Sequence, residues 1–116
     1  MQPVKVSIDG ASHYKWGQDC DAWHLVRTAE LSIIQERMPP GTSEVRHHHT
    51  RSRQFFYVLK GEAVLDVNGT AVRLQVNEGV EIPPGTSHRL FNEGAEELSF
   101  LVISQPPSHE DRVIDQ

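Results

Sequence analysis

The sequence is poor in cysteine and has no long apolar run, and each shortage excludes a class of protein. Cys20 is the single cysteine among 116 residues, so no intrachain disulfide can form. It lies between two aspartates in GQDCDAW, which should raise the pKa of its thiol rather than activate it. We therefore expect a bystander thiol and a reducing, cytoplasmic setting. No apolar run approaches the roughly 20 residues of a membrane span, and MQPVKVSIDG lacks the charged-then-apolar pattern of a signal peptide.

Positive charge is also in short supply. Eleven Lys and Arg residues face sixteen Asp and Glu residues, for a formal net charge of −5. Neither nucleic acid nor an anionic membrane attracts an acidic surface, so we expect neither as a partner. The length fits one domain, and a hydrophobic fraction of 37% is enough for one compact core.

Helical periodicity is almost missing, and short apolar segments separated by turns take its place. The segment HLVRTAELSIIQERM could form a helix, but LSII and the Pro39-Pro40-Gly41 stop favour one or two strands. Asn68-Gly69, between EAVLDV and TAVRLQV, is a strong signal for a hairpin with a type I′ turn. Regularly spaced short strands predict an all-β, antiparallel sandwich or barrel.

The regular pattern predicts a barrel over residues 24–104. Residues 1–23 are less regular, and we expect them to pack on the barrel or on a dimer partner, with Trp16 and Trp23 covering one barrel end or an interface. Residues 105–116 form a polar, proline-broken tail that we expect to cross the surface or to fray.

Three histidines suggest a metal site. On a strand, His47 and His49 share one face and His48 faces away. Gln54 opens the next apolar strand, and His88 follows a Pro-Pro-Gly turn much later in the chain. Such side chains can converge inside a barrel, and imidazole suits Zn, Fe, Ni and Cu. The candidate ligands are His47, His49, Gln54 and His88.

This spacing resembles the two motifs of cupins, a superfamily of small β-barrels. The first motif is Gly, five residues, His-x-His, three or four residues, Glu, six residues, Gly. The second is Gly, five residues, Pro-x-Gly, two residues, His, three residues, Asn. The corresponding positions here are Gly41, His47, His49, Gln54 and Gly61, then Asn77, Pro83, Gly85, His88 and Asn92. The resemblance implies a small single-domain cupin, folded as an antiparallel double-stranded β-helix or jelly-roll barrel, and a homodimer.

Two positions depart from the cupin motifs. Asn77 replaces a turn glycine, which asparagine does well at positive φ. Gln54 replaces the usual glutamate ligand, so the ligand set becomes three imidazoles and one neutral amide. Such a set disfavours oxidation to a trivalent metal and favours Lewis-acid chemistry with a divalent transition metal such as Zn, Ni, Mn or Fe. The alternative is a vestigial site that keeps its histidines as hydrogen-bonded interior groups.

Strand parity also nominates pocket residues. With Gln54 facing inward, Phe56, Val58, Leu90 and Asn92 face inward too, either as a partly apolar pocket wall or as barrel filling. The candidates for holding an anionic ligand are Arg37, Arg46, Arg51 and Arg53. Candidate acid–base groups are Glu36 and Tyr57. Outside the motifs, His13, His24 and His109 are expected at the surface.

Three functions remain open. The first is a metal-dependent isomerase or lyase acting on a small sugar-like, uronate-like or other carbonyl or carboxylate substrate. A ligand set of three His and one Gln is similar to that of small cupins that convert unsaturated uronates to keto forms. The second is an Fe(II) dioxygenase, and the third is a sensory or binding module that holds a small molecule without turning it over.

Overall fold

A computed structural model describes residues 2–116, and its regular elements are all β-strands. The all-β prediction is confirmed, and the segment from residue 24 to residue 38 forms parts of two strands rather than a helix. Within residues 2–116 no helix has the length and apolar character needed to span a bilayer. The strands are β1 Ser12–Trp16, β2 Cys20–Arg27, β3 Ser32–Met38, β4 His47–His49, β5 Arg53–Lys60, β6 Ala63–Val67, β7 Thr70–Leu74, β8 Gly79–Ile82, β9 His88–Phe91, β10 Leu98–Gln105 and β11 Arg112–Ile114.

The strands form two antiparallel sheets with the core between them. One sheet has six strands in the order β1-β2-β3-β10-β5-β8, and the other has five in the order β11-β4-β9-β6-β7. Alternation along β10 buries Leu98, Phe100 and Val102, and alternation along β5 buries Phe56 and Val58. Apolar side chains from both sheets meet in one cluster, as expected for an antiparallel sandwich closed into a barrel.

Turn chemistry sets the connections as the sequence predicts. Asn68 and Gly69 have φ values of 50° and 89° and join β6 to β7, which fits the predicted type I′ hairpin. Asn77 takes a φ of 69°, so asparagine supplies the left-handed conformation in place of the motif glycine.

The two flanking segments, before and after the predicted barrel, each add an edge strand to one of the sheets. Strand β1 pairs with β2, which begins at Cys20, four residues before the predicted start of the barrel. The tail crosses from β10 to the other sheet, where β11 pairs with β4, the strand that carries His47 and His49. Residues of β1 and of β11 line one cavity together with His47 and His49, so both segments reach the predicted metal ligands.

A substitution at Gly61 should be far more damaging than one at a similar turn glycine. Gly61 has a φ of 81°, and an added Cβ would lie 2.5 Å from the carbonyl oxygen of Glu97 and 3.2 Å from the Cα of Leu98. Gly69 has a φ of 89°, but nothing lies within 4 Å of its Cβ position. We expect Gly61→Ala to lower the free energy of unfolding by about 3 kcal/mol, the sum of backbone strain and a backbone clash. Gly69→Ala should cost only about 1–2 kcal/mol of strain. Urea unfolding of both variants measures the difference, and equal losses would contradict the role of the clash.

Candidate metal centre

Three buried histidines converge between strands β4 and β9. His47 and His49 project from the same face of β4, and His47 lies directly opposite His88 in the register of the two strands. His47, His49 and His88 are 4%, 5% and 1% exposed, respectively. One ligand nitrogen from each ring can be chosen so that all three lie within 4.8 Å of one another. The three side chains could therefore hold one metal ion.

Hydrogen bonds fix the tautomer of each ring. The Nδ1 atom of His47 lies 2.7 Å from the carbonyl oxygen of Val45, and Nδ1 of His88 lies 2.9 Å from that of Thr86. A carbonyl oxygen only accepts, so each Nδ1 carries the proton and donates it. His49 donates from Nδ1 to the carboxylate of Asp111 at 2.9 Å. Each Nε2 is thus left with a free lone pair, the form in which imidazole binds a metal.

The amide of Gln54 is also oriented by hydrogen bonds so that its acceptor atom, Oε1, is left free. Its Nε2 donates to the hydroxyl oxygen of Ser104 at 3.1 Å and lies 3.5 Å from that of Ser108. Its Oε1 is buried and has no hydrogen-bond partner within residues 2–116, and the same holds for Nε2 of His88. Buried acceptors without partners are costly. A bound cation would satisfy both atoms, so the donor set fits a divalent metal.

The histidines are held in the neutral state that coordination needs. Burial lowers the pKa of His47 to about 4 and lowers the pKa of His88, with smaller contributions from neighbouring positive charges. Burial also lowers the pKa of His49, although the hydrogen bond to Asp111 opposes the shift. Near neutral pH no proton therefore competes with a metal at these rings.

The middle histidine of the run, His48, faces the other way, as strand parity predicts. The Nδ1 atom of His48 lies 2.9 Å from a carboxylate oxygen of Asp115, at the end of the tail. Both side chains are about one quarter exposed. His48 thus repeats the Asp–His contact of His49 on the opposite face of β4.

A cavity of about 310 Å³ opens beside these candidate ligands and is lined by His47, His49 and Gln54. Phe56 and Phe100 supply an apolar wall. Such a volume suits a small organic molecule. His88 does not line this cavity; its ring lies 4.5 Å from the ring of His47, measured between centroids.

Two carboxyls in the cavity wall are held protonated near neutral pH. Burial, together with the charge of Glu44, raises the pKa of Glu36 to about 8, and the nearby indole N–H of Trp16 partly offsets this. Burial raises the pKa of Glu44 to about 8 as well, against the backbone N–H of Leu90, which donates to its Oε1 at 3.1 Å. The pKa of Tyr14, also in the wall, is raised to about 12 by burial and by the charge of Glu36. The cavity therefore contains groups that can give or accept a proton at physiological pH.

None of the four arginines nominated from the sequence lines this cavity. Arg37 donates from Nε to Asp21 at 2.6 Å, Arg46 pairs with Asp66, and Arg53 pairs with Glu81. The guanidinium in the cavity wall belongs instead to Arg112, on strand β11. Within residues 2–116 no carboxylate lies within ion-pair distance of Arg112.

Of the four pocket residues predicted from strand alternation, one lines the cavity. Phe56 lines the cavity, whereas Val58 and Leu90 are buried in the core away from it. Asn92 is also buried away from the cavity, and its amide nitrogen donates to the carbonyl oxygens of Met38 and Glu96. Its motif position therefore serves to hold a turn.

The remaining nominated groups divide between the cavity and the surface. Glu36 lies in the cavity wall, whereas Tyr57 faces outward and stacks on Phe55 with 6.2 Å between ring centroids. His109, expected at the surface, is exposed but also lines the cavity, with its ring 5.7 Å from that of His24.

Residues 34–104 match the family described as the Cupin domain. The chain is a cupin. This match confirms the resemblance drawn from the two histidine motifs, and it includes the four candidate metal ligands. The cavity residues Tyr14, Trp16, Ser108, His109 and Arg112 lie outside it.

The proteins to which this cupin is similar differ in the activities that their names give. It is 28% identical to an uncharacterized protein of Methanocaldococcus jannaschii over 78% of this chain and 74% of that one. It is 33% identical to an oxalate-binding protein of Thermotoga maritima over 58% of this chain and 55% of that one. A sugar phosphate isomerase of the cupin superfamily from Silicibacter pomeroyi superposes with a TM-score of 0.77 at 18% identity, covering 90% of this chain and 76% of that one. The chain spans between 38% and 55% of the length of the polyketide-synthesis and oxalate-binding relatives.

Proposed function

We propose that this cupin is a metal-dependent isomerase or lyase that acts on a small carboxylate-bearing substrate of the sugar or uronate type. One observation carries the proposal: three of the four proposed metal ligands, His47, His49 and Gln54, line the same cavity as two carboxyls that burial holds protonated near neutral pH. We also propose that the protein works in a reducing, cytoplasmic setting, which its single thiol supports.

His47, His49, His88 and Gln54 are the proposed ligands of a divalent transition metal. When bound, the metal supplies a Lewis acid that polarises a carbonyl or hydroxyl oxygen. All four ligands are neutral, so the full 2+ charge of the ion is available to an anionic substrate. The donor set has no anion that would stabilise a trivalent ion, and it therefore gives the dioxygenase alternative no support.

Arg112 is the proposed anchor for the carboxylate of the substrate. It lines the cavity, and its charge lowers the pKa of Glu44 and of His47. A guanidinium offers two parallel N–H donors that match a carboxylate, and Arg112 has no competing carboxylate within residues 2–116. The anchored substrate would extend from this rim towards the histidines.

Glu36 and Glu44 are the proposed proton-transfer groups. One of them, once ionised, can take a proton from carbon next to a polarised carbonyl, and the other can return a proton to oxygen or to a neighbouring carbon. Once Glu44 has ionised, its charge raises the pKa of Glu36 and so holds the remaining proton there, as this division of roles requires.

Proton exchange provides the most direct test. Protein loaded with Zn²⁺, Mn²⁺ or Ni²⁺ is incubated in D₂O with a panel of uronates and keto-sugars, and NMR follows deuterium incorporation and conversion. We expect metal-dependent exchange that falls about 100-fold or more in Glu36→Gln, because general acid–base groups contribute on that order. Glu93→Gln, which changes an exposed carboxyl, is the matched control. A protein that takes up no metal, or that catalyses no exchange across the panel, would refute the proposal.

A second candidate is a protein that binds a small dicarboxylate without turning it over. A dianion is favoured by the neutral ligand set and by Arg112, which has no ion-pair partner within residues 2–116, and one relative is named as an oxalate-binding protein. Calorimetric titration of the metal-loaded protein with oxalate distinguishes the two candidates. Tight oxalate binding together with no proton exchange in any substrate of the panel would favour the second.

We propose that the protein is a homodimer, joined through the outer face of the six-stranded sheet. Ile33, Ile103 and Phe55 form one cross-strand row on this face, and Leu101 and Tyr57 form the next. Phe55 is 38% exposed, unusually open for an aromatic residue within an apolar row. Sedimentation analysis should show a dimer that Phe55→Glu dissociates, while Thr70→Glu on the other sheet should leave it intact. A monomeric parent protein would contradict the proposal.

A further inference from the structure

We propose that the tail, residues 105–116, completes the metal centre: Asp111 positions His49, Ser108 positions Gln54, and docking of the tail is coupled to metal binding. The inference rests on the metal site of the proposed function and adds to it two positioning residues and a linked segment.

Asp111 binds the turn that joins the two ligand-bearing strands β4 and β5. Its Oδ1 accepts from His49 Nδ1 at 2.9 Å, and its Oδ2 accepts from the backbone N–H groups of Arg51 and Ser52 at 2.8 and 2.7 Å. Its carbonyl oxygen accepts from the N–H of Thr50 at 3.2 Å. With 7% of its surface exposed, this residue is among the most buried acids of the chain. One tail residue thus holds the backbone of the turn and the ring of a ligand at the same time.

The tail makes two further contacts with the same region. The Ser108 hydroxyl lies 3.5 Å from Nε2 of Gln54, which helps to keep the amide oxygen directed away from the tail. The Ser52 hydroxyl donates to the carbonyl oxygen of Pro106 at 2.7 Å. Release of the tail would therefore remove hydrogen-bond partners from two of the four proposed ligands.

A carboxylate on Nδ1–H does two things for a metal-binding imidazole. It holds the ring in one orientation, and it makes the opposite nitrogen a better donor. Because coupling is reciprocal, any factor by which the docked tail tightens metal binding is also the factor by which metal tightens docking of the tail.

The chain contains its own matched control. Asp115 accepts from His48 Nδ1 at 2.9 Å, the same distance as the contact between Asp111 and His49. Both aspartates lie in the tail, and both histidines lie on β4. His48 faces away from the ligand cluster, however, so a change at Asp115 tests tail docking without removing a hydrogen bond from a proposed ligand.

The experiment compares Asp111→Asn with Asp115→Asn, using Co²⁺ as the probe. Asparagine at position 111 can accept from His49 or from the two backbone N–H groups, but not from all three, because its nitrogen only donates. We expect the Kd for Co²⁺, measured by chelator competition, to rise about 10- to 100-fold in Asp111→Asn and less than about threefold in Asp115→Asn. The visible absorption bands of bound Co²⁺ should shift in the first variant alone. The increase in Tm produced by saturating Co²⁺ should also shrink only there.

The outcomes separate a positioning role from a structural one. An Asp111→Asn variant that loses Tm in the metal-free form but keeps the parent Kd and absorption spectrum would overturn the inference. Equal changes in the two variants would do the same. Should Asp111→Asn fail to fold, Ser108→Ala removes only the contact to Gln54, and we expect it to raise the Kd about three- to tenfold; an unchanged Kd would refute the role of the tail. Parent protein that takes up no Co²⁺ would overturn the metal site itself, an outcome distinct from each of these.

Discussion

Replacing His47 with alanine is expected to abolish stoichiometric metal binding. His47 is 4% exposed, directs its free Nε2 into the ligand cluster and lies opposite His88. Hydrogen bonds to metal-binding side chains typically contribute about 10- to 100-fold in metal affinity. Losing one of three imidazoles should weaken metal binding by more than that. Elemental analysis after gel filtration should give roughly one transition-metal ion per chain for the parent protein and close to none for the variant.

The control for this prediction is the adjacent residue. His48→Ala changes the same residue type on the same strand, but its ring faces away from the cluster and pairs with Asp115. It should retain full metal content. Equal metal loss in both variants would mean that damage to β4, rather than loss of a ligand, explains the result, and an empty parent protein would contradict the site.

Replacing Glu44 with glutamine is expected to stabilise the metal-free protein at pH 8 and to have little effect at pH 4.5. The folded protein holds the protons of Glu44 and Glu36 up to about pH 8, whereas an unfolded chain releases them near the ordinary pKa of 4.5. Between these limits the folded state binds more protons, so its stability falls as the pH rises. Glutamine carries no charge to bury and is free of this loss.

The size of the effect follows from the pKa change. Without screening by solvent, a shift in the pKa of Glu44 from 4.5 to about 8 would correspond to about 5 kcal/mol in the free energy of unfolding. Water in the open cavity screens the charge, so we expect Glu44→Gln to gain about 2 kcal/mol in the free energy of unfolding at pH 8. Urea unfolding across this pH range measures it, with the exposed Glu93→Gln as control. A gain that is the same at pH 4.5 and pH 8 would contradict a titration-linked cause.

The parts of the site that lie on strands could be predicted from the sequence. Alternation along a strand is a local property, so spacing alone indicates that His47 and His49 share one face. The resemblance to the cupin motifs indicates that this face, with Gln54, points into the barrel. The hairpin at Asn68-Gly69 is local for the same reason, since its conformation depends on two residues.

The parts contributed by loops and by the tail could not be predicted. Glu44 lies in the loop before β4, and it reaches the cavity because its carboxyl accepts from Leu90 N–H, 46 positions away. Arg112 enters through the pairing of β11 with β4, which no nearby residue signals. Asn92 is a residue for which strand alternation gave the wrong role. Its inward orientation made it a candidate for the pocket wall, but its amide holds the turn after β9.

The division of the cavity between barrel and flanks has a consequence for how such proteins diverge. The four proposed ligands lie within the family-matched residues 34–104, whereas Tyr14, Trp16 and Arg112 come from the segments before and after them. On the proposed assignments, the metal ligands come from one stretch of the chain, and part of the substrate-binding wall comes from the segments on either side of it. Exchange of these segments between related barrels, with Asp111 and Ser108 retained, should alter what enters the cavity while preserving the proposed metal site. Shared membership in the family therefore predicts the fold and the histidine motifs of these proteins better than it predicts their reactions or their substrates.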